Sequence, residues 1–226
     1  MPRNNQDMTS RHVDLSHPIK HGMITYPGLP GPIISTYISR EESARKLGSG
    51  VSYHLGRIEM VVTSGTYVDA PYHFHAGGVD VAQLPLERLV EVRIVVIRAS
   101  GRTAIGPEVI DNPGELWGKA VLVHTGWSRH WGTAAYLSGS PYLTQEFAEM
   151  VVEANIALLG VDSLNVDDIE DSTRPVHHTV LGSGIPLIEH LTNLNQLPDQ
   201  GARLTALPAP VHGVGSFPVR AVAVLP

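Results

Sequence analysis

Four short apolar runs constrain the fold of this chain more than any other feature of its sequence. They cover residues 92–99, 120–123, 156–161 and 219–225, are rich in β-branched side chains, and have Gly, Pro or Asp close to their ends. Runs of this length and composition are typical of strands that are buried on both faces of a sheet. The sequence therefore predicts a sheet whose inner strands lie between two layers of other structure.

One helix is predicted between the second and third of these runs. Thr144 can cap it, and an apolar stripe runs from Phe147 to Ala154 at helical spacing. Residues 40–47 and 106–110 are compatible with two further short helices. Because strands and helices alternate along the chain, we expect an α/β layered domain.

Composition narrows the partners and the compartment that we expect. The 226 residues carry a formal charge of −6 without a cluster of Lys or Arg, so neither nucleic acid nor anionic lipid is an expected partner. The absence of cysteine excludes a disulfide frame and a thiolate metal site. No apolar run approaches the ~20 residues that cross a bilayer, and residues 1–10 are polar, without an apolar signal segment. We expect a single domain over residues 1–226, located in the cytoplasm.

Residues 63–75 concentrate more chemically active side chains than any other segment. If the segment enters as a strand, Thr63, Tyr67 and Asp69 project from one face, because side chains alternate along a strand. The proline two positions later ends the strand and lets His73 turn back toward the Asp69 carboxylate. An Asp and a His that converge at a strand end predict a metal or acid–base site. A surface turn in which Asp69 caps its own backbone is the alternative.

A second cluster of metal-binding residue types lies in the second half of the chain. His177, His178 and Glu189 flank a short apolar piece with a strand-like pattern. Imidazole and carboxylate together suit divalent ions of hard or borderline character. Asp162 follows the third apolar run, where α/β folds often display functional groups, but a cap or turn is the preferred interpretation for this residue.

The order of these motifs resembles the cyclase family, whose signature runs H-x-G-T-H-x-D-x-P-x-H. This sequence keeps Gly65, Thr66, Asp69, Pro71 and His73 in register. Further family-like motifs span nearly the whole chain, at residues 14–19, 26–28, 125–127, 177–194, 205–208 and 218–222. The resemblance implies a swivelling β/β/α fold, a mixed sheet with flanking helices. It also implies metal-dependent hydrolysis of formamides, cyclic amides or lactones, similar to that of bacterial kynurenine formamidase, in a homodimer or homotetramer.

The sequence departs from the family signature at the two leading histidines, which are Thr63 and Tyr67 here. A hydroxyl must lose its proton to bind a metal, and a phenol normally keeps its proton until about pH 10. The resemblance implies that the leading pair binds one metal, that Asp69 bridges two metals, and that His177 and Glu189 complete the second site. We therefore expect one divalent ion, Zn²⁺ or Mn²⁺, on the three matching residues, with the second metal position degraded.

Other side chains are candidates for proton transfer or substrate binding. His73 matches the catalytic histidine of the family, and an imidazole that titrates near ~6.5 can shuttle a proton between water and the leaving group. Candidates for substrate contacts or for support of the ligands are Thr63, Tyr67, His75, Tyr26 and Trp127. For the aromatic residues among them, packing in the core is the alternative.

Two other functions stay open beside the hydrolase of a small-molecule substrate. A metal-poor family member could bind a small aromatic or carboxylate ligand without turning it over, as the two replaced histidines allow. A structural or oligomeric interaction module could carry the polar cluster as a satisfied network. The last hypothesis is disfavoured, because unpaired polar groups that are buried together cost free energy.

Overall fold

The computed structural model describes residues 11–48 and 50–226. Within these ranges the strands are β1 (His12–Asp14), β2 (Ile33–Ile38), β3 (Leu55–Glu59), β4 (Tyr67–Asp69), β5 (Val92–Arg98), β6 (Ala104–Ile105), β7 (Ala120–His124), β8 (Tyr142–Leu143), β9 (Leu158–Val161), β10 (Leu187–Glu189), β11 (Gln200–Thr205), β12 (Ser216–Pro218) and β13 (Val222–Val224). The helices there are α1 (Arg40–Leu47), α2 (Gln145–Glu153) and α3 (Pro175–Gly182). None of them is long and apolar enough to span a bilayer. Residues 1–10, whose polar sequence predicts no signal segment, lie outside the described ranges.

Among the described residues, nine strands form one mixed sheet in the order β1-β13-β11-β5-β7-β9-β10-β4-β12. The middle strands β5, β7, β9 and β10 are parallel neighbours, and the other pairs are antiparallel. Parallel strands need cover on both faces. On β5, Ile94 and Val96 face one hydrophobic core, while Val95 and Ile97 face the other. The prediction of a sheet with doubly buried inner strands is therefore confirmed.

The helix predicted before the third apolar run is present as α2. Thr144 Oγ1 accepts a hydrogen bond from Phe147 N at 3.3 Å, and Phe147, Ala148 and Val151 are buried. These side chains pack with α3 in one of the two cores. The mixed sheet with flanking helices thus agrees with the fold that the sequence predicts.

The two weaker helix predictions have different outcomes. α1 forms as predicted, and Ser39 and Glu42 cap its first turn reciprocally. Residues 106–110 contain a short helix as predicted, but it is a single 3-10 turn, Pro107–Val109, and not an α-helix. The turn ends at Ile110, whose backbone is extended, with a φ of −122° and a ψ of 109°.

β2 and β3 form a separate antiparallel sheet, which we call the arm (residues 33–38 and 55–59). Ile33 is 52% exposed, Ile58 is 50% exposed, and Tyr37 and Leu55 are exposed as well. An isolated two-stranded hairpin is only marginally stable in water. The arm therefore contrasts with the nine-stranded sheet, whose inner strands are fully covered.

Candidate metal centre and pocket

β4 is shorter than the sequence pattern suggests. Gly65 has a φ of +75°, a backbone conformation that other residues rarely adopt, and the strand begins only at Tyr67. The prediction that Thr63 continues the strand face of Asp69 is therefore wrong. β4 lies between β10 and β12, and β12 places Ser216 opposite Asp69.

His73 reaches the site through a 3-10 turn, Pro71–His73, that follows β4 directly. The backbone N–H of His73 donates to Ala70 O at 2.9 Å. This turn places His73 Nε2 3.8 Å from Asp69 Oδ1. Gly215 passes directly against this turn, since a Cβ at Gly215 would lie 2.5 Å from His73 Cα. A residue without a side chain is therefore required for β12 to approach β4.

His177 comes from a helix, so the strand-like interpretation of the segment before Glu189 is wrong for its first part. α3 begins with Pro175, whose missing N–H costs nothing in a first turn. Asp167 caps this turn, because its Oδ1 accepts from Val176 N at 2.7 Å. Asp167 Oδ2 also accepts from His177 Nδ1 at 2.5 Å. Nδ1 therefore carries a proton, and Nε2 is the atom of His177 that can bind a cation.

The structure brings Asp69, His177 and Glu189 together. His177 Nε2 lies 3.8 Å from Asp69 Oδ2 and 3.7 Å from Glu189 Oε1, and all three side chains are buried. Asp69, His73 and His177 can each offer one ligand atom with the three atoms within 4.8 Å of one another. Among residues 11–48 and 50–226, this compact group contains His73 in place of Glu189, so the predicted trio of Asp69, His177 and Glu189 is joined through His177 and is less compact.

Asp69 Oδ2 is the atom whose environment best fits a cation. It is buried without a hydrogen-bond partner in the described part of the chain, while Oδ1 accepts from Ser216 Oγ. A buried carboxylate oxygen costs free energy unless something compensates its charge. The imidazole of His177 and a second buried carboxylate lie beside it, a donor set that suits Zn²⁺ or Mn²⁺.

Two hydrogen bonds hold Glu189 from the opposite side. Its Oε2 accepts from Tyr67 Oη, and its Oε1 accepts from Val166 N at 2.6 Å. Tyr67 is only 4% exposed, and burial together with the charges of Glu189 and Asp69 raises the pKa of its phenol well above the usual value. Tyr67 therefore keeps its proton and orients Glu189.

Carboxylates decide the protonation of His177. Burial by itself lowers the pKa of an imidazole, but Glu189, Asp167 and Asp69 outweigh burial and raise the pKa of His177 to about 10. Burial raises the pKa of Glu189 to about 7, although the charge of His177 opposes this rise. The cluster thus binds a proton strongly, and a divalent cation would compete with that proton for His177 Nε2. We call Asp69, Asp167, His177 and Glu189 the carboxylate side.

His17 and His190 lie among aromatic rings near Tyr67. The His17 ring stacks on Trp131 with ring centroids 4.0 Å apart, and His190 meets the edges of Tyr67, Trp131 and Tyr136. Burial lowers the pKa of each of the two imidazoles to about 4. Both are therefore neutral at physiological pH. We call His17, His190, Trp131 and Tyr136 the aromatic side.

A pocket of about 200 Å³ opens beside the carboxylate side. Its lining consists of Tyr26, Leu29, Thr63, Tyr67, His73, Phe74, Asn165, Arg174, His177 and Glu189. The Pro/Gly-rich loop of residues 26–32 thus reaches the pocket. Phe74 stacks on His177 with centroids 4.7 Å apart. Since an apolar cavity of ~150 Å³ admits benzene, the pocket suits a molecule with a single ring.

His75 and Trp127 lie outside this lining. His75 Nε2 is 3.0 Å from His178 O, and Trp127 Nε1 donates to Tyr136 O at 3.1 Å. Asp162 accepts from the backbone N–H groups of Thr125 at 2.7 Å and Gly126 at 2.9 Å. The geometry of Asp162 therefore agrees with its interpretation as a turn residue.

A larger groove of about 480 Å³ lies elsewhere, along β5. Its charged lining includes Arg98, Asp111, Glu115 and Asp199, and no site residue predicted from the sequence borders it. Arg98 already donates to Asp199 Oδ1 at 2.8 Å. The smaller pocket is therefore the candidate for chemistry.

Three polar residues of the site escape sequence reasoning. Asp167 holds His177, Ser216 holds Asp69, and Arg174 lines the pocket. Pro175 marks the start of a helix and could have drawn attention to Asp167 as its cap. No local pattern marks Ser216, because its role arises from the pairing of β12 with β4.

The chain is similar to proteins of one family. Residues 13–168 match the family described as "Putative cyclase". Kynurenine formamidase from Bacillus cereus (strain ATCC 10987 / NRS 248) is 32% identical over 215 residues, which cover 95% of this chain and 97% of that protein.

Two solved structures share the fold closely. Isatin hydrolase A from Labrenzia aggregata, bound to benzyl benzoate, has a TM-score of 0.80 at 26% identity. The match covers 95% of this chain and 93% of that protein's chain. Isatin hydrolase A from Ralstonia solanacearum has a TM-score of 0.80 at 25% identity, and the match covers 95% of this chain and 92% of that protein's chain. The match over residues 13–168 and the relative above 30% identity show that this chain belongs to the cyclase family.

Proposed function

We propose that this protein is a metal-dependent hydrolase that cleaves an amide, formamide, cyclic amide or lactone bond of a small molecule. Its membership of the cyclase family supports this proposal, and so do the names of its relatives, kynurenine formamidase and isatin hydrolase. The observation that carries the proposal is the convergence of Asp69, His177 and Glu189 beside a pocket of one-ring size.

One divalent ion, Zn²⁺ or Mn²⁺, would be held by Asp69, His177 and Glu189. The unpartnered Asp69 Oδ2 and the orientation of His177 by Asp167 support this set. When bound, such an ion polarises a carbonyl group and lowers the pKa of water toward ~7. Tyr67 donates a hydrogen bond to Glu189 and stays protonated, so it offers no metal ligand, which favours one ion over two.

His73 is the proposed proton carrier. It lines the pocket, its side chain is 34% exposed, and its Nε2 lies 3.8 Å from Asp69 Oδ1. From this position Nε2 accepts a proton from the attacking water and returns it to the departing nitrogen or oxygen. Phe74 and Leu29 line the same pocket and offer an apolar surface to the ring of a substrate.

The expected homodimer or homotetramer stays a prediction. The arm, with Ile33, Tyr37, Leu55 and Ile58 exposed, is compatible with a second copy of the chain as its partner. Light scattering coupled to size exclusion measures this state directly.

The proposed function is tested by metal content and by hydrolysis of formanilide, isatin and an aromatic lactone. We expect about one Zn²⁺ or Mn²⁺ per chain and hydrolysis of at least one of these compounds. His73→Ala should keep its metal and lose about 10²–10⁴-fold in turnover. His178→Ala is the control, because His178 neighbours His177 but is exposed on α3.

Two outcomes would contradict the proposal. Metal-loaded wild type that hydrolyses none of the compounds would argue for a ligand-binding protein without turnover. Equal turnover by wild type and His73→Ala would remove His73 from the mechanism.

A further inference from the structure

Arg174 lines the pocket and forms no direct ion pair with a carboxylate of the described residues. Its Nη1 donates to Asp168 O at 2.7 Å, and its Nη2 donates to Ile169 O at 3.0 Å and to Tyr26 Oη at 3.1 Å. Within residues 11–48 and 50–226, no Asp or Glu oxygen lies within 4.0 Å of its guanidinium. Its positive charge is therefore held beside the pocket without a direct ion pair, although it adds to the hydrogen bonds from Thr173 in lowering the pKa of Asp171.

The backbone of Arg174 is strained. The residue precedes α3 with a φ of +48° and a ψ of 56°, the left-handed region that favours glycine and asparagine. A residue with a long side chain in this region costs of the order of 1–3 kcal/mol, and such strain is often found at functional sites. The strain is consistent with a function for the side chain itself.

The guanidinium is fixed in position and still has donors to offer. Arginine has five N–H groups, and the three hydrogen bonds to Asp168, Ile169 and Tyr26 use three of them. The other two have no acceptor in the described part of the chain. A planar guanidinium with free N–H groups is well suited to a carboxylate.

Arg174 is also close to the cluster that would carry out the reaction. His177 follows it by three residues, about one helical turn, and both line the same pocket. The remaining lining is largely aromatic or apolar, with Tyr26, Leu29 and Phe74. A ligand with one ring could therefore contact Arg174 at one end and the carboxylate side at the other.

We infer that Arg174 binds a carboxylate group of the substrate, so that the preferred substrate is a small aromatic amide or lactone with an anionic substituent. The type of bond cleaved rests on the proposed function, whereas the binding of an anion does not. Tyr26 completes the recognition site, because its hydroxyl group holds Nη2 of Arg174.

A purely structural role for Arg174 makes a different prediction. Its bonds to Asp168 O and Ile169 O tie the loop before α3, so loss of the side chain could loosen the pocket. A loosened pocket would bind neutral and anionic ligands more weakly to the same extent. Loss of a charge partner would weaken only the anionic ligand.

The test compares benzoate with benzamide, two ligands of nearly the same shape, by calorimetry on the zinc-loaded protein. We expect wild type to bind benzoate at least about tenfold more tightly, and Arg174→Gln to lose that preference, since a hydrogen bond to a charged group accounts for about tenfold to hundredfold in affinity. Arg174→Lys keeps the charge but not the planar fork, and should be intermediate. Arg102→Gln is the matched control, because Arg102 pairs with Glu108 away from the pocket.

Kinetics with 2-formamidobenzoate and formanilide extend the test to turnover. Arg174→Gln should raise KM about tenfold or more for the anionic formamide and leave KM for formanilide nearly unchanged. Absence of a benzoate preference in wild type, a preference that survives in Arg174→Gln, or an equal loss for both ligands would each overturn the inference.

The two proposals fail separately. If neither formamide is hydrolysed but the benzoate preference depends on Arg174, the hydrolase proposal falls and anion recognition stands. If both formamides are hydrolysed and Arg174→Gln treats them like wild type, the hydrolase stands and anion recognition falls.

Discussion

His177 and His190 are both buried, yet their surroundings move their pKa values in opposite directions. On the carboxylate side, Glu189, Asp167 and Asp69 raise the pKa of His177 to about 10. On the aromatic side, burial among rings lowers the pKa of His190 to about 4. Burial alone therefore does not decide the charge of an imidazole. Facing carboxylates turn it into a site for a proton or a metal ion, and facing rings keep it neutral.

The same contrast bears on the two positions, Thr63 and Tyr67, at which the sequence resemblance predicts a departure from the family signature. Tyr67 contacts both sides, donating to Glu189 and meeting the ring of His190 edge-on. Negative charge is concentrated on one side only. We therefore expect a single cation, and the following predictions test that asymmetry.

The largest expected effect follows from Asp69→Asn, which removes a carboxylate from the cluster. Loss of a partner that only orients a metal ligand costs about 10–100-fold in metal affinity, so loss of Asp69 itself should cost more than that. Elemental analysis should find the variant nearly free of metal, with turnover lost in parallel. Asp199→Asn, at a surface ion pair with Arg98, should behave as wild type. Full metal content in Asp69→Asn would show that the carboxylate of Asp69 is not needed to hold the ion, and would contradict the contrast between the two sides.

The next largest effect is expected for the stability of the aromatic side at acidic pH. The pKa of His190 is about 4 in the folded protein and ~6.5 when unfolded, so between these values the unfolded state binds more protons and stability falls as pH falls. A pKa difference of one unit corresponds to 1.36 kcal/mol. Between pH 6.5 and pH 4, wild type should therefore lose about 3 kcal/mol more of its free energy of unfolding than His190→Asn loses. His17, which is less buried, should contribute in the same direction but less.

Urea unfolding at pH 6.5, 5.5 and 4 measures this difference. The comparison with His190→Asn is necessary because Glu189, with its pKa raised to about 7, stabilises the folded state as pH falls and opposes the effect. His177 adds no slope below ~6.5, because it is protonated in both states there. Parallel pH profiles for wild type and His190→Asn would show that folding does not lower the pKa of His190.

Asp167→Asn should have a smaller effect on the carboxylate side. It weakens the hydrogen bond that fixes the tautomer of His177, and we expect about 10–100-fold weaker Zn²⁺ binding in competition with a chelating dye. The cap of α3 is also weakened, by ~1 kcal/mol. A loss of stability with unchanged Zn²⁺ affinity would leave Asp167 as a helix cap alone.

The smallest change in rate is expected for Thr63→His combined with Tyr67→His, which restores the leading pair of the signature. The double variant should bind a second equivalent of metal, while turnover changes by less than about tenfold, because Asp69, His177 and Glu189 remain. Titration with Zn²⁺ followed by elemental analysis gives the stoichiometry. A wild type that already binds two ions would remove the proposed asymmetry.

The sequence was informative wherever the pattern was local. The β-branched runs predict β5, β7 and β9, and the stripe after Thr144 predicts α2, because burial on defined faces dictates these residues directly. The apolar piece between His178 and Glu189 has a strand-like pattern, but its first part, as far as Gly182, belongs to α3.

The site residues show the same difference between local patterns, which the sequence reveals, and long-range contacts, which it does not. Asp69, His73, His177 and Glu189 belong to recognisable motifs. Ser216 does not, because it lies 147 residues from Asp69 and meets it only through the pairing of β12 with β4. Long-range strand pairing depends on the whole sheet, which no short window of sequence contains.

Gly215 shows how a residue with no functional group can govern acid–base geometry. Any side chain there would collide with the backbone of His73 and push β12 outward. The neighbouring Ser216 would then withdraw its hydroxyl group from Asp69. A substitution of Gly215 would therefore lower activity in the way that loss of a catalytic group does. Every reactive atom would still be present, and only the spacing between two backbones would have changed.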